Sequence, residues 1–294
     1  MNHRVDDRPA VGVLAAWGRL PIVVAESMRD AGYRVVCLGV RHHAVKADYD
    51  GIADAFHWIG VSQLGTAIRL FRRYGVARAT MAGKFHKVTL YQPGALIRYL
   101  PDWTGLKAFY SHFVGHSADR KDDTLLGCIV EVFAKGGVTM EPATDFAPGL
   151  LIEEGLVAGR PLSAAQQADV AFGWDLAREM GRLDVGQSVC VKGRAAIAIE
   201  AIEGTDLCIR RAGELCPSGG FTVVKVAKPK QDMRFDVPTV GVQTLQNMQE
   251  AGARVLAIEA GMTILLDAEE FRAYATRHGL TVVAQRRAAA IAAA

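Results

Sequence analysis

Residues 181–211, GRLDVGQSVCVKGRAAIAIEAIEGTDLCIRR, decide the fold of the second half of the chain. Two apolar runs, 189–191 and 195–199, flank Lys192-Gly193-Arg194, a pattern that predicts two short strands joined by a turn. The second strand is expected to be buried and to run into an acidic loop that contains Glu200, Glu203, Gly204, Thr205 and Asp206. A loop of this kind at the end of a buried strand is a common ligand-binding position in α/β proteins.

The residues on either side of this stretch alternate between helix and strand patterns. Ser163 is expected to cap a helix that runs to Met180, with Gly181 just after its end. Ala260-Gly261 separates two of the predicted strands and indicates a short hairpin or bulge. The predicted strands are 221–227, 254–259, 262–267 and 280–284, and the predicted helices are 245–251 and 268–278.

The first half has the pattern of a mononucleotide-binding βαβ unit. A strand over 10–16 leads through a turn that contains Gly18 into a helix that ends at Gly32. Further strands and helices follow to about residue 140. A chain of 294 residues is long for one domain, since about 150 residues per domain is usual. The predicted fold class is α/β, with an N-terminal Rossmann-like α/β domain (1–145), a linker (146–161) and a C-terminal α/β domain (162–294).

Composition narrows the function classes. Half of the residues are apolar, the net charge is only +3, and the basic residues form no long block, so nucleic acid is not an expected partner. The five cysteines lack zinc-type spacing and are expected to be reduced. Asp6 and Asp7 make the start of the chain unlike a signal peptide, and no apolar run approaches about 18 residues. We therefore expect a cytoplasmic protein.

Several catalytic motifs are absent from the sequence. No GxGxxG follows the first strand, and no GxxxxGK[ST], HExxH or GxSxG occurs. A nicotinamide dehydrogenase, a P-loop ATPase, a zincin and a serine hydrolase are all disfavoured.

Two segments of the first half carry side chains suited to phosphate or metal. Lys84, His86 and Lys87 follow the strand 76–82, and at the carboxyl end of a parallel strand they could meet phosphate or form a solvated basic loop. Asp122 and Asp123 precede an apolar helical pattern, where they could cap the helix or hold Mg²⁺, an ion that prefers carboxylates, water and phosphate oxygens.

The second half brings basic residues near the acidic loop. Carboxylates that hold a cation beside basic groups that meet an anion fit a metal-phosphate site, although surface ion pairing explains the pattern almost as well. The basic residues are Lys225, Lys228, Lys230 and Arg234. Residues 91–113, which are rich in aromatic side chains, are either a core insertion or an apolar lining for an amphiphilic ligand.

Three blocks of the sequence closely resemble one family, the UDP-2,3-diacylglucosamine pyrophosphatases of lipid A synthesis, of the LpxI type. The blocks are GRLDVGQ (181–187), EAIEGTD (200–206) and KVAKPKQDMRFDVPTVG (225–241). In the first half, Pro101-Asp102, Gly105-Leu106 and RKDDTLL (120–126) are similar to further elements of that family. The resemblance covers nearly the whole chain.

The resemblance implies Mg²⁺-dependent hydrolysis of the pyrophosphate of UDP-2,3-diacylglucosamine to 2,3-diacylglucosamine 1-phosphate and UMP by a homodimer, with peripheral contact to the membrane through the lipid. It implies that Asp122 or Asp123 supplies the essential carboxylate. It also implies substrate contacts in the matched blocks, at Gln187, Glu203, Gly204, Thr205, Asp206, Lys228, Gln231 and Asp232.

The first turn departs from the family. Ala16-Trp17-Gly18 stands where the family has three glycines, and a bulkier turn lets the backbone approach a phosphate less closely. A non-catalytic or differently specific nucleotide-sugar binding protein is therefore kept as the alternative.

Overall fold

The computed structural model describes residues 7–84, 100–107, 122–229, 231–235 and 237–286, with the side chains of 122–125 excluded. The chain forms two compact units. The first comprises Met1–Pro148 together with Asp232–Asp236, and the second comprises Gly149–Gln231 together with Val237–Ala294. Both units contain helices packed on a sheet, so the predicted α/β class is confirmed.

The first unit has a parallel sheet of five strands in the order β3-β2-β1-β4-β5. This is the strand order of a doubly wound nucleotide-binding fold, as predicted. The strands are β1 (Ala10–Ala15), β2 (Arg34–Val40), β3 (Ala55–Ile59), β4 (Arg78–Ala82) and β5 (Thr139–Met140). The helices are α1 (Leu20–Asp30), α2 (Leu64–Arg73), α3 (Asp122–Lys135) and α4 (Ala143–Phe146).

Continuous apolar runs explain why these strands lie inside the sheet. In β2, six of the seven residues are buried, a pattern typical of a parallel strand covered on both faces. Helix α2 contributes Phe71, whose ring approaches Gly12 so closely that a Cβ there would lie 2.5 Å from it. Phe133 of α3 packs on Phe71 with ring centroids 6.3 Å apart. One layer of the core of this unit therefore lies between the sheet and these two helices.

The second unit has a mixed sheet of six strands in the order β6-β13-β11-β9-β7-β8. Strands β13, β11 and β9 are parallel, and the flanking strands run antiparallel to their neighbours. The strands are β6 (Gly155–Ala158), β7 (Ser188–Lys192), β8 (Ala195–Ile199), β9 (Thr222–Lys225), β11 (Val255–Glu259) and β13 (Thr281–Gln285). The helices are α5 (Ala164–Arg182), α6 (Thr205–Leu215), α7 (Val242–Ala251) and α8 (Ala268–Arg277).

The predicted hairpin of β7 and β8 is present, but β8 is not a buried strand. It lies at the edge of the sheet, and Ala195 and Ala196 are exposed. The carboxylate of Asp169, on α5, accepts hydrogen bonds from the backbone N–H groups of Gly193 and Arg194. The turn is thus held by a helical residue that lies 24 positions before Gly193 in the sequence.

Several further details of the predicted elements differ from the structure. Helix α5 continues to Arg182, so Gly181 lies inside it rather than after its end. The predicted hairpin or bulge at Ala260-Gly261 is wrong, because β12 (Ile264–Leu265) pairs in parallel with β10 (Thr239–Val240) in a small sheet that does not include β11. The range predicted as a linker, 146–161, contains the strand β6, which pairs with β13.

No helix in the described parts of the chain is long and apolar enough to cross a bilayer.

Candidate functional site

One edge of the second sheet gathers the three sequence blocks singled out above. Ser188, at the start of β7, pairs with Lys225 at the end of β9, and Val189 pairs with Ile199 at the end of β8. Because β7 is antiparallel to both neighbours, its first residues lie beside the last residues of β8 and β9. Residues near 187, 200 and 225 therefore meet at this edge, which we call the carboxyl edge of the second sheet.

A buried polar network occupies the carboxyl edge. Thr205 Oγ1 lies 3.0 Å from Glu200 Oε1, 3.1 Å from Ser188 Oγ and 3.1 Å from Lys225 Nζ. The Lys225 ammonium also donates to the carbonyl oxygen of Thr239 at 3.2 Å. Glu200 and Lys225 are each only 7% exposed, so both charges are taken out of water within this network.

Gln187 lies beside this network. Its backbone N–H donates to Glu200 Oε2 at 3.3 Å, and its carbonyl oxygen accepts from the N–H of Val226 at 3.1 Å. Its side-chain oxygen Oε1 is buried and has no hydrogen-bond partner among the described residues. A buried amide oxygen without a partner is costly, and such a group is often explained by a ligand or water.

The loop that follows β9 is held by a buried ion pair. Arg178, on α5, pairs with Glu259 at the carboxyl end of β11, and the other oxygen of Glu259 accepts from the N–H of Ala227 at 2.9 Å. Burying two charges is tolerated when each has a partner and further hydrogen bonds. The pair fixes the backbone immediately before Lys228.

Lys228 and Gln231 are held in the same loop. The ammonium of Lys228 lies 2.8 Å from a carboxylate oxygen of Asp184, and its backbone N–H donates to Gln231 Oε1 at 3.0 Å. Gly181 lies against this loop, because a Cβ there would be 3.3 Å from the Cα of Lys228. Two predicted site residues are thus positioned by their neighbours rather than by a regular element.

The acidic loop before α6 is folded on itself. Glu203 forms an ion pair with Arg211 at 2.5 Å and accepts from the N–H of Ala201 at 3.1 Å. The backbone N–H of Glu203 itself and the Arg211 guanidinium hold the pKa of that carboxyl below its ordinary value. Gly204 directly precedes α6 with φ of 83°, a conformation that favours glycine, and Asp206 lies in the first turn. The ion-pair partner of Glu203 in this loop is thus Arg211, a residue of α6.

In the first unit, Gly18 and Lys84 lie close together. The backbones of Trp17 and Lys84 exchange two hydrogen bonds, with N···O distances of 3.1 and 2.8 Å. Gly83 makes this possible, because its φ is 98° and a Cβ there would lie 2.8 Å from the carbonyl oxygen of Trp17. Gly18, with φ of 107°, then leads into α1. These residues lie at the carboxyl ends of β1 and β4, as the sequence predicted.

Asp102 caps a helix from a distant part of the chain. Its carboxylate accepts hydrogen bonds from the N–H groups of Gly65 and Thr66, in the first turn of α2, and from that of Gly105. Burial acts to raise the pKa of Asp102, but the hydrogen bonds outweigh it and the pKa is lowered. The Pro-Asp element of the family is therefore a helix cap in this chain.

The remaining predicted site residues are placed less completely. Asp122 and Asp123 open α3, and their side chains lie outside the described residues. His86, Lys87 and Lys230 lie outside them too, as does most of the aromatic region 91–113. Asp232 belongs to the first unit and pairs with Arg234, which lowers the pKa of the Asp232 carboxyl.

The predicted residues thus fall into two groups. The first unit holds Gly18, Lys84, Asp122, Asp123 and Asp232, and the second holds Gln187, Glu203, Gly204, Thr205, Asp206, Lys228 and Gln231. Among side chains that the structure describes, no group of three His, Cys, Asp or Glu residues is suited to hold a metal ion.

A surface groove of about 480 Å³ lies away from the carboxyl edge. It is bounded by Gly213 and Glu214, near the end of α6, and by Asn247 and Glu250 of α7. Thr205 is at the opposite end of α6. The groove is therefore not the place where the buried charges of Glu200 and Lys225 meet.

Sequence reasoning missed Arg178, Ser188 and Glu259 as parts of this edge. Glu259 ends the apolar run VLAIE, and a carboxylate at the end of a buried parallel strand is a usable signal. Ser188 and Arg178 carry no comparable signal, because a serine before an apolar run and an arginine on a helix are common.

Comparison with known proteins agrees with the sequence blocks. The family model described as the LpxI N-terminal domain matches residues 10–150, and that of the LpxI C-terminal domain matches residues 153–283. A relative from Caulobacter vibrioides, named UDP-2,3-diacylglucosamine pyrophosphatase LpxI, is 30% identical over 282 residues, which cover 93% of this chain and 96% of the relative.

Among solved structures, a short-chain dehydrogenase from Oenococcus oeni PSU-1 has a TM-score of 0.26 and 15% identity. The match covers 46% of this chain and 58% of that chain. A TM-score this low carries no argument about fold or function.

Proposed function

We infer the function of this chain from one premise, that the chain belongs to the LpxI family. The two domain models of that family together cover nearly all of the chain, and so does a relative that is 30% identical. Membership makes the chain an enzyme, as its sequence predicted. We propose that it hydrolyses the pyrophosphate bond of UDP-2,3-diacylglucosamine in lipid A synthesis, giving 2,3-diacylglucosamine 1-phosphate and UMP.

One observation carries this proposal. The three blocks that resemble the family are spread over some sixty residues of sequence, yet the ends of β7, β8 and β9 bring them to one edge of one sheet. Ligands of open α/β sheets bind at the carboxyl ends of parallel strands, and β9 and β11 end at this edge. We propose that the substrate binds here.

The chemistry of the edge suits a diphosphate with a polar sugar. Lys228 carries a positive charge that attracts phosphate oxygens, and the side chain of Gln187 presents a buried amide oxygen for a hydroxyl or N–H donor. Asp184, which now pairs with Lys228, competes with the substrate for that ammonium. Binding therefore exchanges one anionic partner of Lys228 for another.

Exposed apolar side chains support a lipid-linked substrate. Ile202 is fully exposed and Val185 is also exposed, and each is two residues from a member of the carboxyl edge, Glu200 and Gln187 respectively. Exposed apolar groups of this kind mark contacts with other molecules when they cluster. We propose that they contact the acyl chains.

We further propose that Mg²⁺ assists the reaction and that Asp122 or Asp123 holds it. Carboxylates are suitable ligands for Mg²⁺, which neutralises phosphate charge when bound. Successive positions of a helix do not share a face, so the two aspartates are separate candidates and are tested one at a time. A homodimer and peripheral contact with the membrane remain predictions.

The test is release of UMP from UDP-2,3-diacylglucosamine, with and without Mg²⁺, by the wild type, Asp122→Ala and Asp123→Ala. We expect the wild type to turn over and at least one substitution to abolish release without lowering the melting temperature. Asp145→Ala, a change on the short helix α4, is the matched control.

Binding without release would contradict the proposal. A wild type that binds the nucleotide sugar and releases no UMP would be a non-catalytic or differently specific relative, and the altered turn at Trp17-Gly18 would then be the first place to examine.

A further inference from the structure

The hydroxyl of Thr205 contacts the ends of three strands at once. Its oxygen lies within 3.1 Å of polar atoms of Ser188 on β7, Glu200 after β8 and Lys225 on β9. Thr205 is also the first residue of α6. One side-chain atom therefore joins a helix to three strands of the sheet.

The direction of each hydrogen bond follows from the groups involved. An ammonium can only donate and an ionised carboxylate can only accept. Thr205 therefore accepts from Lys225 and gives its single proton to Glu200. Ser188 must then donate to the second lone pair of Thr205 Oγ1, because the threonine has no further proton.

In this arrangement every hydrogen-bonding site of the Thr205 hydroxyl is occupied. A hydroxyl offers one donor and two acceptor sites, and all three are taken by Glu200, Lys225 and Ser188. Thr205 cannot hydrogen-bond a substrate through this oxygen without losing one of these bonds. The resemblance-based expectation that it contacts substrate does not suit its hydroxyl.

The network acts on Gln187 through Glu200. Glu200 accepts a hydrogen bond from the Thr205 hydroxyl at Oε1 and one from the backbone N–H of Gln187 at Oε2. These two bonds fix the plane of the carboxylate. Gly186 permits this close approach, because a Cβ there would lie 2.1 Å from the carbonyl oxygen of Glu200. The position of Thr205 therefore influences the position of the Gln187 backbone through Glu200. The side-chain oxygen of Gln187 is buried at the same edge.

We propose that Thr205 is a positioning residue, which bridges Lys225 and Glu200 and so holds Gln187 for the substrate. The proposal rests on the function proposed above. It gives Thr205 a role at that site that the resemblance of the sequence blocks does not assign. The hydroxyl carries the role, and the methyl group of Thr205 does not.

Two substitutions separate the hydroxyl from the shape of the side chain. Thr205→Val keeps the shape and removes the hydroxyl, whereas Thr205→Ser keeps the hydroxyl. We expect Thr205→Val to lower kcat/KM for UMP release by about tenfold or more, because two buried charges lose their bridge. Thr205→Ser is expected to stay within about threefold of wild type.

A matched control lies on β9, the strand that carries Lys225. Thr222→Val makes the same substitution at the other end of β9 from Lys225, where Thr222 is buried, and is expected to leave kcat/KM unchanged. Ser188→Ala is a milder variant for the case that Thr205→Val does not fold. It removes one donor and leaves both charges bridged, so a smaller loss than that of Thr205→Val is expected.

Hydrogen exchange at the backbone amide of Gln187 tests the network without any assay of activity. The Gln187 N–H should lose protection in Thr205→Val and keep it in Thr205→Ser. If wild type releases no UMP but this pattern is seen, the proposed function fails and the network stands. Equal kcat/KM and equal Gln187 protection in wild type and Thr205→Val would overturn the proposal, as would a serine variant as impaired as the valine one.

Discussion

At the scale of single residues, Asp102 shows how one carboxylate substitutes for a missing local cap. Gln63, which precedes α2, makes no side-chain capping hydrogen bond. Asp102 reaches the first turn of α2 from almost forty residues away and accepts three backbone N–H groups. The carboxylate also faces the positive end of the helix dipole. Its charge therefore stabilises the folded state.

We expect Asp102→Asn to lower the free energy of unfolding by about 1–2 kcal/mol near neutral pH, because a capping carboxylate is lost. The folded-state pKa of Asp102 is lowered, so its contribution is present above the unfolded pKa and is lost as pH falls through the folded one. Urea denaturation should show a constant gap from wild type above about pH 5 and a shrinking gap below about pH 4.

The control for this prediction is Asp30→Asn, at the exposed end of α1, which should change stability by less than about 0.5 kcal/mol. A gap between wild type and Asp102→Asn that widens on acidification would contradict the assigned direction of the pKa shift.

Residue-level prediction from sequence succeeded where the signal was local. Ser163 was predicted to cap α5, and it forms a reciprocal capping box with Gln166. Gly181 was predicted to lie just after the end of that helix, yet it lies inside it, where a Cβ would be 3.3 Å from atoms of both Lys228 and Pro229. A glycine near a helix end signals either a stop or a close contact, and only the three-dimensional neighbour distinguishes them.

At the scale of elements, α5 positions much of the carboxyl edge. Its buried face includes Gly173, Trp174 and Ala177, and it also supplies Asp169 to the β7-β8 turn and Arg178 to Glu259. Gly173 lets the helix lie close to the sheet, because a Cβ there would be 2.6 Å from a methyl carbon of Val224. The spacing between α5 and β9 depends on this glycine.

We expect Gly173→Ala to destabilise the protein by about 1–3 kcal/mol, because the overpacking exceeds the gain in helix propensity. Gly127→Ala, in the interior of α3, should instead stabilise it by about 0.5–1 kcal/mol, since no described atom lies within 4 Å of the added carbon. Thermal and urea denaturation of both variants would check the opposite signs. Equal effects would show that helix propensity alone decides both positions.

Element pairing across long stretches of sequence was the harder part to predict. The hairpin of β7 and β8 follows from two apolar runs and a turn, all within twelve residues. By contrast, β12 pairs with β10, and the intervening helix α7 and strand β11 hide that pairing from any local pattern. The same limit applies to the carboxyl edge, where Glu259 and Ala227 meet from strands that are far apart in sequence.

At the scale of the whole molecule, the division into units does not follow the order of the chain. Residues Asp232–Asp236 belong to the first unit, although the residues before and after them belong to the second. Phe235 packs against the core of the first unit, which includes Phe71 and Phe133. The core formed by the first half is therefore completed by a side chain from the second.

We expect Phe235→Ala to destabilise the first unit by about 1–3 kcal/mol, because a partly buried aromatic ring is removed from its core. Hydrogen exchange followed by mass spectrometry should show the lost protection in peptides of β2 and α2, far from the substituted position in sequence. Phe172→Ala, at an exposed position of α5, is the matched control and should change little. Loss of protection confined to peptides around residue 235 would contradict this assignment.

The pairing of β6 with β13 has a mechanical consequence for the second unit. The two strands are antiparallel, and Gly155 at the start of β6 faces Ala284 near the end of β13. Tension applied between residues 154 and 286 would first load the hydrogen bond from the Arg286 N–H to the Glu154 carboxylate. It would then load the pairing of Gly155 with Ala284 and next that of Leu156 with Val283, rather than all bonds together. The two strands should therefore separate under tension one residue pair at a time, and at low force.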